Sequence, residues 1–232
     1  MVLVILGLLV GGILAGRSLI RASELRSVSA DLTKYRTVIY AFRDKYMAWP
    51  GDMPNAQSFW PDCTDGTNNA CNGNGDGHIW RSGMSCSNGN YSMESVRSWQ
   101  HLSLAGLAEG DYSLFNGVTC NSTYNVGRPG TTVPILKISD TGILFYTSSS
   151  SATLNRKFFV TGKYYSDSLE NAFLTPEEAW NIDVKMDDGL ARRGKVWGNN
   201  GHPTLGQSNC YSGNDYVFTE AAQHCRILYF IE

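Results

Sequence analysis

The first sixteen residues, MVLVILGLLVGGILAG, carry no charge, and they run straight into a segment whose apolar residues recur at alternating three- and four-residue steps. Leu25, Val28, Leu32, Tyr35, Ile39, Phe42, Tyr46 and Trp49 stand 3, 4, 3, 4, 3, 4 and 3 residues apart, which lines one stripe of an α-helix. Arg26, Asp31, Lys34, Arg36, Arg43, Asp44 and Lys45 fall between them, so the opposite face is solvated. No proline occurs before Pro50, and the glycines stop at Gly16. The pattern predicts one continuous helix of about 48 residues, roughly 70 Å long at 1.5 Å per residue. It divides the chain into that helix, residues 1–49, apolar over 1–16 and amphipathic over 17–49, and a globular head, residues 50–232.

Sixteen apolar residues fall short of the ~20 that a membrane core needs. The run is therefore expected either to be preceded by further apolar residues or to pack against copies of itself. Gly7 to Gly11 and Gly12 to Gly16 both give the G-x-x-x-G spacing that lets helix backbones approach closely. With Leu14 they are the expected packing residues. A removable secretory signal has a basic region before its apolar run and a small-residue cleavage site after it. Here no basic residue precedes the run, and the helical pattern continues past Arg17 and Arg21.

Two features disagree about orientation. Arg17, Arg21 and Arg26 follow the apolar run, which by the positive-inside rule puts the rest of the chain in the cytoplasm. The cysteines argue the other way. Cys63, Cys71, Cys86, Cys120, Cys210 and Cys225 form an even set without a C-x-x-C pair, set among Gly, Asn and Ser. That usage favours disulfides in an oxidising compartment over a zinc site, and it outweighs the basic flank. Sequence proximity suggests Cys63 with Cys71, Cys86 with Cys120 and Cys210 with Cys225, out of the 15 pairings that six cysteines allow.

At 42% hydrophobic and 17% charged residues the chain can bury a core, and a net charge of −2 argues against a nucleic-acid footprint. Residues 50–90 are turn-rich, and Pro50 with Gly51 ends the first helix. A second helix is expected over 94–108 with Gly110 as its stop. Strands are expected in VPILKIS, GILFYTS and KFFVTGKYY, the first two separated by the turn Asp140-Thr141-Gly142, and in the terminal RILYFIE. Thr175 followed by Pro176-Glu177-Glu178 is an N-terminal helix signature. The expected class is α+β: a long N-terminal helix packed on a mostly antiparallel sheet, with disulfide-tied loops.

That layout resembles a type IV pilin or a type II secretion pseudopilin. The segments AFRDKYMAWPGDMPNAQSFW, CNGNGDGHIW, SWQHLSLAGLAEGDY and LTPEEAWNIDVKMDDG are similar to blocks of bacterial prepilin-type proteins with large head domains. Such proteins begin, after leader removal, with a phenylalanine and a short apolar stretch containing a glutamate. Met1 therefore aligns several residues into that helix, and neither the cleavage site nor the glutamate is in this sequence. The resemblance implies a structural subunit held in the inner membrane before assembly. Pilus or secretion machinery then polymerises it with copies of itself into an extracellular filament. Two alternatives stand beside it: a minor pseudopilin of a type II secretion system, and a membrane-anchored calcium-dependent adhesin or carbohydrate-binding module.

Asn72-x-Asn74-x-Asp76-Gly77-His78-Ile79 carries the most pointed chemistry. In EF-hand-like loops oxygen ligands occupy alternate positions, glycine makes the sharp turn, the next residue offers its carbonyl and an apolar residue follows. Asn72, Asn74, Asp76 and the His78 carbonyl match the first four oxygens of a calcium site. Gly83 stands where the closing acid belongs, so Glu94 at the start of the next helix is the expected closing ligand. One or two carboxylates suit an extracellular calcium site of ~10⁻⁴–10⁻³ M. The alternative is an Asn/Gly-rich turn without an ion. Asp183, Asp187 and Asp188 form a second acidic group, read as a capped turn because Asp-Gly is a turn signal. Asn90-Tyr91-Ser92 and Asn121-Ser122-Thr123 have the glycosylation spacing. His78, His101, His202 and His224 are scattered and no H-E-x-x-H, G-x-S-x-G or Walker-type loop occurs, so no enzymatic activity is expected.

Overall fold

A single helix, α1 (Val2–Tyr46), dominates the computed structural model, which describes residues 2–63, 71–80, 94–112, 127–148, 155–165 and 168–232, with the side chains of 2–4, 6–10 and 14 left aside. The stripe read from the sequence is the buried face of α1. Val28, Leu32, Ile39 and Phe42 are fully enclosed, and Tyr35 nearly so. The helix ends before Pro50 forces it to, because Met47 turns left-handed at φ 54° while its N–H still reaches Arg43 O at 2.8 Å. A left-handed residue just past the last turn is the usual way a helix stops. Trp49 lies beyond the helix yet keeps its place in the core, with the Arg43 guanidinium 4.3 Å and Lys157 Nζ 4.6 Å from its ring centre.

After a short turn of helix, α2 (Ala56–Phe59), comes α3 (Glu94–Leu104). It is shorter than the 94–108 expected. Gly106 at φ 70° lets Leu107 N–H fold back onto Leu102 O at 2.9 Å, so Gly106 and not Gly110 is the stop. The sheet follows: β1 (Thr141–Thr147), β2 (Lys157–Tyr165), β3 (Ser168–Asn171), then α4 (Pro176–Met186), β4 (Val196–Asn200), the small hairpin β5 (Tyr211–Ser212) and β6 (Asp215–Tyr216), and β7 (Cys225–Phe230).

Among the described residues the main sheet has five antiparallel strands in the order β1-β2-β7-β4, with β3 paired to the far end of β2. Alternation sorts its side chains. Phe145, Phe159 and Tyr229 stack across β1, β2 and β7 beneath the helices, whereas Tyr146, Phe158 and Phe230 occupy the opposite face. There Arg156 lies 4.0 Å over Phe230 and Arg192 4.5 Å over Trp197, covering apolar rings with their charged planes. The expected strand over 133–139 is only a pair of isolated bridges at Val133 and Ile135. Pro134 has no N–H to give a ladder, which confines it to an edge. The structure also adds β4, VWGNN, whose composition argues against a strand. Gly198 is required in it, since a Cβ there would sit 2.3 Å from the Tyr216 ring.

The molecule is thus α+β, a long N-terminal helix packed on an antiparallel sheet, with loops tied by Cys63–Cys71 and Cys210–Cys225. The expected Cys86 with Cys120 pair lies outside the described residues, as do both glycosylation-type triplets.

The Thr175 signature is realised as a full capping box. Glu178 N–H donates to Thr175 Oγ1 at 3.2 Å, and Thr175 N–H donates to Glu178 Oε2 at 3.0 Å. Glu178 also accepts a two-toothed bond from Arg21 of α1, at 2.6 and 2.8 Å, so one carboxylate caps α4 and pins it to α1. Thr175→Ala is expected to lower stability by about 1 kcal/mol, measured by urea unfolding; an unchanged midpoint would mean that the cap carries no weight.

Candidate functional site

Two features of this fold bear on function, the bare front half of α1 and an acidic cluster at its other end. Arg21, bonded to Glu178 and to Phe173 O at 2.8 Å, is the first side chain along α1, among the described residues, to hydrogen-bond to the head. Before it the large apolar side chains described are exposed. Ile5, Ile13, Leu19 and Ile20 are 55–72% exposed, and nothing lies within 4 Å of a Cβ built on Gly11, Gly12 or Gly16. Gly7 and Leu14 belong to the same stretch, but their surroundings fall outside the described side chains. Among the described residues no helix is long and apolar enough to cross a membrane.

The acidic cluster is built by close backbone packing. Gly51, at φ 91°, turns the chain out of α1 against the start of α3; a Cβ there would lie 2.2 Å from Glu94 O. Gly73 in turn packs on Asp52, where a Cβ would come within 2.3 Å of the Asp52 backbone. Gly73 N–H donates to Met53 O at 2.8 Å and Gly75 N–H to Asp52 O at 3.0 Å, which lays the 71–80 loop alongside residues 51–53. His101 fastens the two from below: its Nδ1 accepts from Gly51 N–H at 2.9 Å and its Nε2 meets Cys71 O at 2.8 Å.

These contacts bring Asp52, Asp76 and Glu94 together, each with an oxygen within 4.8 Å of the others. Asp52 and Glu94 are buried, Asp76 is at the surface. Asp76 Oδ1 accepts from His78 N–H at 2.8 Å, and its Oδ2 from Asn74 Nδ2 at 3.0 Å and Trp80 Nε1 at 2.9 Å. Glu94 takes Asn74 N–H on one oxygen, at 3.3 Å, and Trp80 N–H on the other, at 3.0 Å. Asp52 Oδ2 accepts from Gly77 N–H at 3.0 Å, while its buried Oδ1 has no partner.

The electrostatics follow from the crowding. Like charges about 4–5 Å apart repel by roughly 3–4 kcal/mol at an effective dielectric of ~20. Burial, opposed by the Trp80 and Asn74 N–H groups and reinforced by Asp52 and Asp76, pushes the Glu94 carboxyl up to about 7. Burial raises Asp52 as well. Partial burial works against Asp76 too, but the bonds from Trp80, His78 and Asn74 hold it below its ordinary value.

Of the residues singled out from the sequence, Asp76 and Glu94 stand in the cluster. Asn74 supports it, accepting Asp76 N–H at 3.0 Å and donating to the Asp76 carboxylate. Asn72 is engaged elsewhere, its side-chain oxygen by Gln57 N–H at 2.9 Å and its carbonyl by Arg97 at 2.7 Å. His78 gives its N–H to Asp76 and tilts its ring against Trp80 at 5.4 Å. Gly83 lies outside the described residues. Asp52, absent from the sequence reading, is the addition.

The second group, Asp183, Asp187 and Asp188, is equally close, and both groups have the geometry to coordinate a divalent cation. In the second, among the described residues, no buried carboxylate oxygen lacks a partner. Asp183 accepts from Tyr216 OH at 2.8 Å and Gly189 N–H at 3.1 Å, Asp187 from Lys195 and Val196 N–H, and Asp188 from Leu190 N–H at 2.9 Å. These are the bonds of a capped turn. Burial pushes Asp183 up to about 6.

The shape shown, a globular domain with a long N-terminal helix packed against an antiparallel sheet, is compatible with the pilin superfamily. Among known proteins no family model, no curated protein and no solved structure matches the chain.

Proposed function

We propose that this chain is the structural subunit of an extracellular type IV pilus-like filament, assembled through the front half of α1. The observation that carries the reading is the contrast along that one helix: buried in its own head from Val28 to Phe42, yet bare before Arg21, with Ile13, Leu19 and Ile20 exposed around open glycines. Large aliphatic side chains left in water are unfavourable by about 25 cal/mol per Å², and bundling with the same segment of other copies removes that surface. Gly11, Gly12 and Gly16 permit backbones to come close in such a bundle. Copies displaced along the helix axis meet head to tail, and a heterologous contact that does not close generates an open filament.

In this reading the inner membrane holds the subunit before assembly, pilus or secretion machinery moves it, and the disulfides suit the oxidising exterior. Calcium is the cation of the Asp52, Asp76 and Glu94 cluster, because the donors are hard oxygens.

The test is a double substitution, Gly11→Arg with Leu14→Arg, in cells expressing the chain with its assembly machinery. Material sheared from the surface is imaged by cryo-electron microscopy. Wild-type cells are expected to yield filaments with α1 bundled in the core, and the double variant none, although its head keeps the same circular dichroism. Normal filaments from the variant would sink the reading.

A further inference from the structure

We infer that Asp52, Asp76 and Glu94 hold one calcium ion as a clamp across three separate stretches of chain: the turn after α1, the 71–80 loop and the first residue of α3. The inference deepens the calcium reading above and is independent of filament assembly.

Proximity of three acids is not enough by itself to make a site, and the Asp183 group has the same proximity. Asp52 supplies the second observation. It is only 4% exposed, and one of its oxygens, Oδ1, is sealed from solvent without a hydrogen-bond partner. A buried acceptor left unsatisfied is costly, and a buried carboxylate is normally paired or bound to a metal. Here the unsatisfied oxygen belongs to a carboxylate whose neighbours are two further carboxylates. Asp52 is also held rigidly. Its Oδ2 accepts from Gly77 N–H, and its backbone is closely packed by Gly73.

Glu94, 1% exposed, has only one N–H on each oxygen, and a carboxylate oxygen has room for a second contact. The donors are all oxygen, which suits calcium, magnesium or manganese over zinc or copper. Both His101 nitrogens face backbone groups, Cys71 is in a disulfide, and the His78 ring lies against Trp80 at 5.4 Å. Calcium takes six to eight oxygens in flexible geometry, whereas magnesium demands a near-ideal octahedron. Three carboxylates from unrelated stretches of chain, one of them at the surface where water completes the shell, fit the looser requirement.

The consequence is mechanical as well as electrostatic. The cation neutralises charges that otherwise repel, and it ties the end of α1 to α3 through a loop that backbone hydrogen bonds and Cys63–Cys71 also restrain.

The experiment uses the full chain in detergent, stripped with chelator and then titrated with calcium chloride, magnesium chloride and terbium chloride. Readouts are the melting temperature and terbium emission sensitised by Trp80, whose indole bonds Asp76. Wild type is expected to melt higher as calcium rises, with saturation, and to give terbium emission that calcium displaces. Asp52→Asn keeps an acceptor for Gly77 N–H but removes a charge. It should weaken calcium binding by about tenfold or more, while Asp183→Asn leaves it unchanged. The two should also cross: without cation Asp52→Asn melts at or above wild type, since a buried repelling charge is gone, and with calcium it melts below. A purely structural Asp52 gives no such crossing. Absence of both responses in wild type, or wild-type binding by Asp52→Asn, would overturn the clamp, and an equal response to magnesium would overturn the choice of calcium. Wild-type filaments without calcium binding would remove the clamp and keep the filament; binding without filaments would do the reverse.

Discussion

Trp99→Ala is expected to cost the head about 3–5 kcal/mol of unfolding free energy, a large share of the ~5–15 kcal/mol that holds a typical domain together. Trp99 is the largest fully buried side chain. From the middle of α3 it meets Tyr35 of α1 edge-on with ring centres 4.9 Å apart, Phe159 of β2 at 6.3 Å, and Tyr112 at 6.4 Å. Helix, helix and sheet therefore share one ring, and its removal leaves a cavity that no single element can close by shifting. Trp99 Nε1 is buried without a hydrogen-bond partner, so Trp99→Phe sheds an unsatisfied donor while keeping most of the contact. Its loss should be less than half that of the alanine variant. Urea unfolding of both variants checks this, and equal losses would mean that the indole nitrogen has a partner after all.

His101 should make acid costly to the head, while Glu94 and Asp183, both raised by burial, act in the opposite direction over part of the same range. Gly51 N–H donates to His101 Nδ1, so the single ring proton sits on Nε2 and is donated to Cys71 O. A second proton would have to go on Nδ1, facing another N–H. Burial, with the charge of Arg97 adding to it, accordingly pulls the imidazole down to about 4 from its ordinary 6.5, against the opposite effect of the Cys71 carbonyl. The sign follows from proton counting. Between pH 6.5 and 4 the unfolded chain binds this proton and the folded chain does not, so the contribution of His101 to stability falls as pH falls through that window. The loss is about 3 kcal/mol when complete. His101→Gln, which has no such proton to gain, is expected to flatten the dependence by about one proton in urea unfolding at several pH values. A variant with the wild-type slope would exclude His101 as the cause.

How far the fold could be read in advance depended on the range of the interaction. The stripe from Leu25 to Tyr46 is periodic, so its burial was legible, and so was the Thr175 cap, which needs only its own first turn. Strand β4 was not, because VWGNN becomes a strand only through pairing with β7 and through the space Gly198 leaves for Tyr216. The cluster was legible in part for the same reason. Asp76 announces itself by its local Asn-x-Asn-x-Asp-Gly spacing, and Glu94 by its place at a helix start. Asp52 sits in a Pro-Gly-Asp turn that reads as punctuation, and its role appears only once Gly73 brings the later loop against it. Orphaned Oδ1 is a property of the folded molecule, with no trace in residue order.

The position of β7 sets a schedule. Cys225–Phe230, made after the other described strands, pair with β2 on one side and β4 on the other, and Tyr40 of α1 bonds Ile231 O just beyond at 2.7 Å. Until those residues arrive, β2 and β4 have no strand between them and the first helix lacks its farthest contact. Native assembly of the sheet therefore waits for β7, whose partners β2 and β4 both lie well before it in sequence, with the slow kinetics that such non-local pairings impose. A ribosome still holding β7 holds back closure of the sheet.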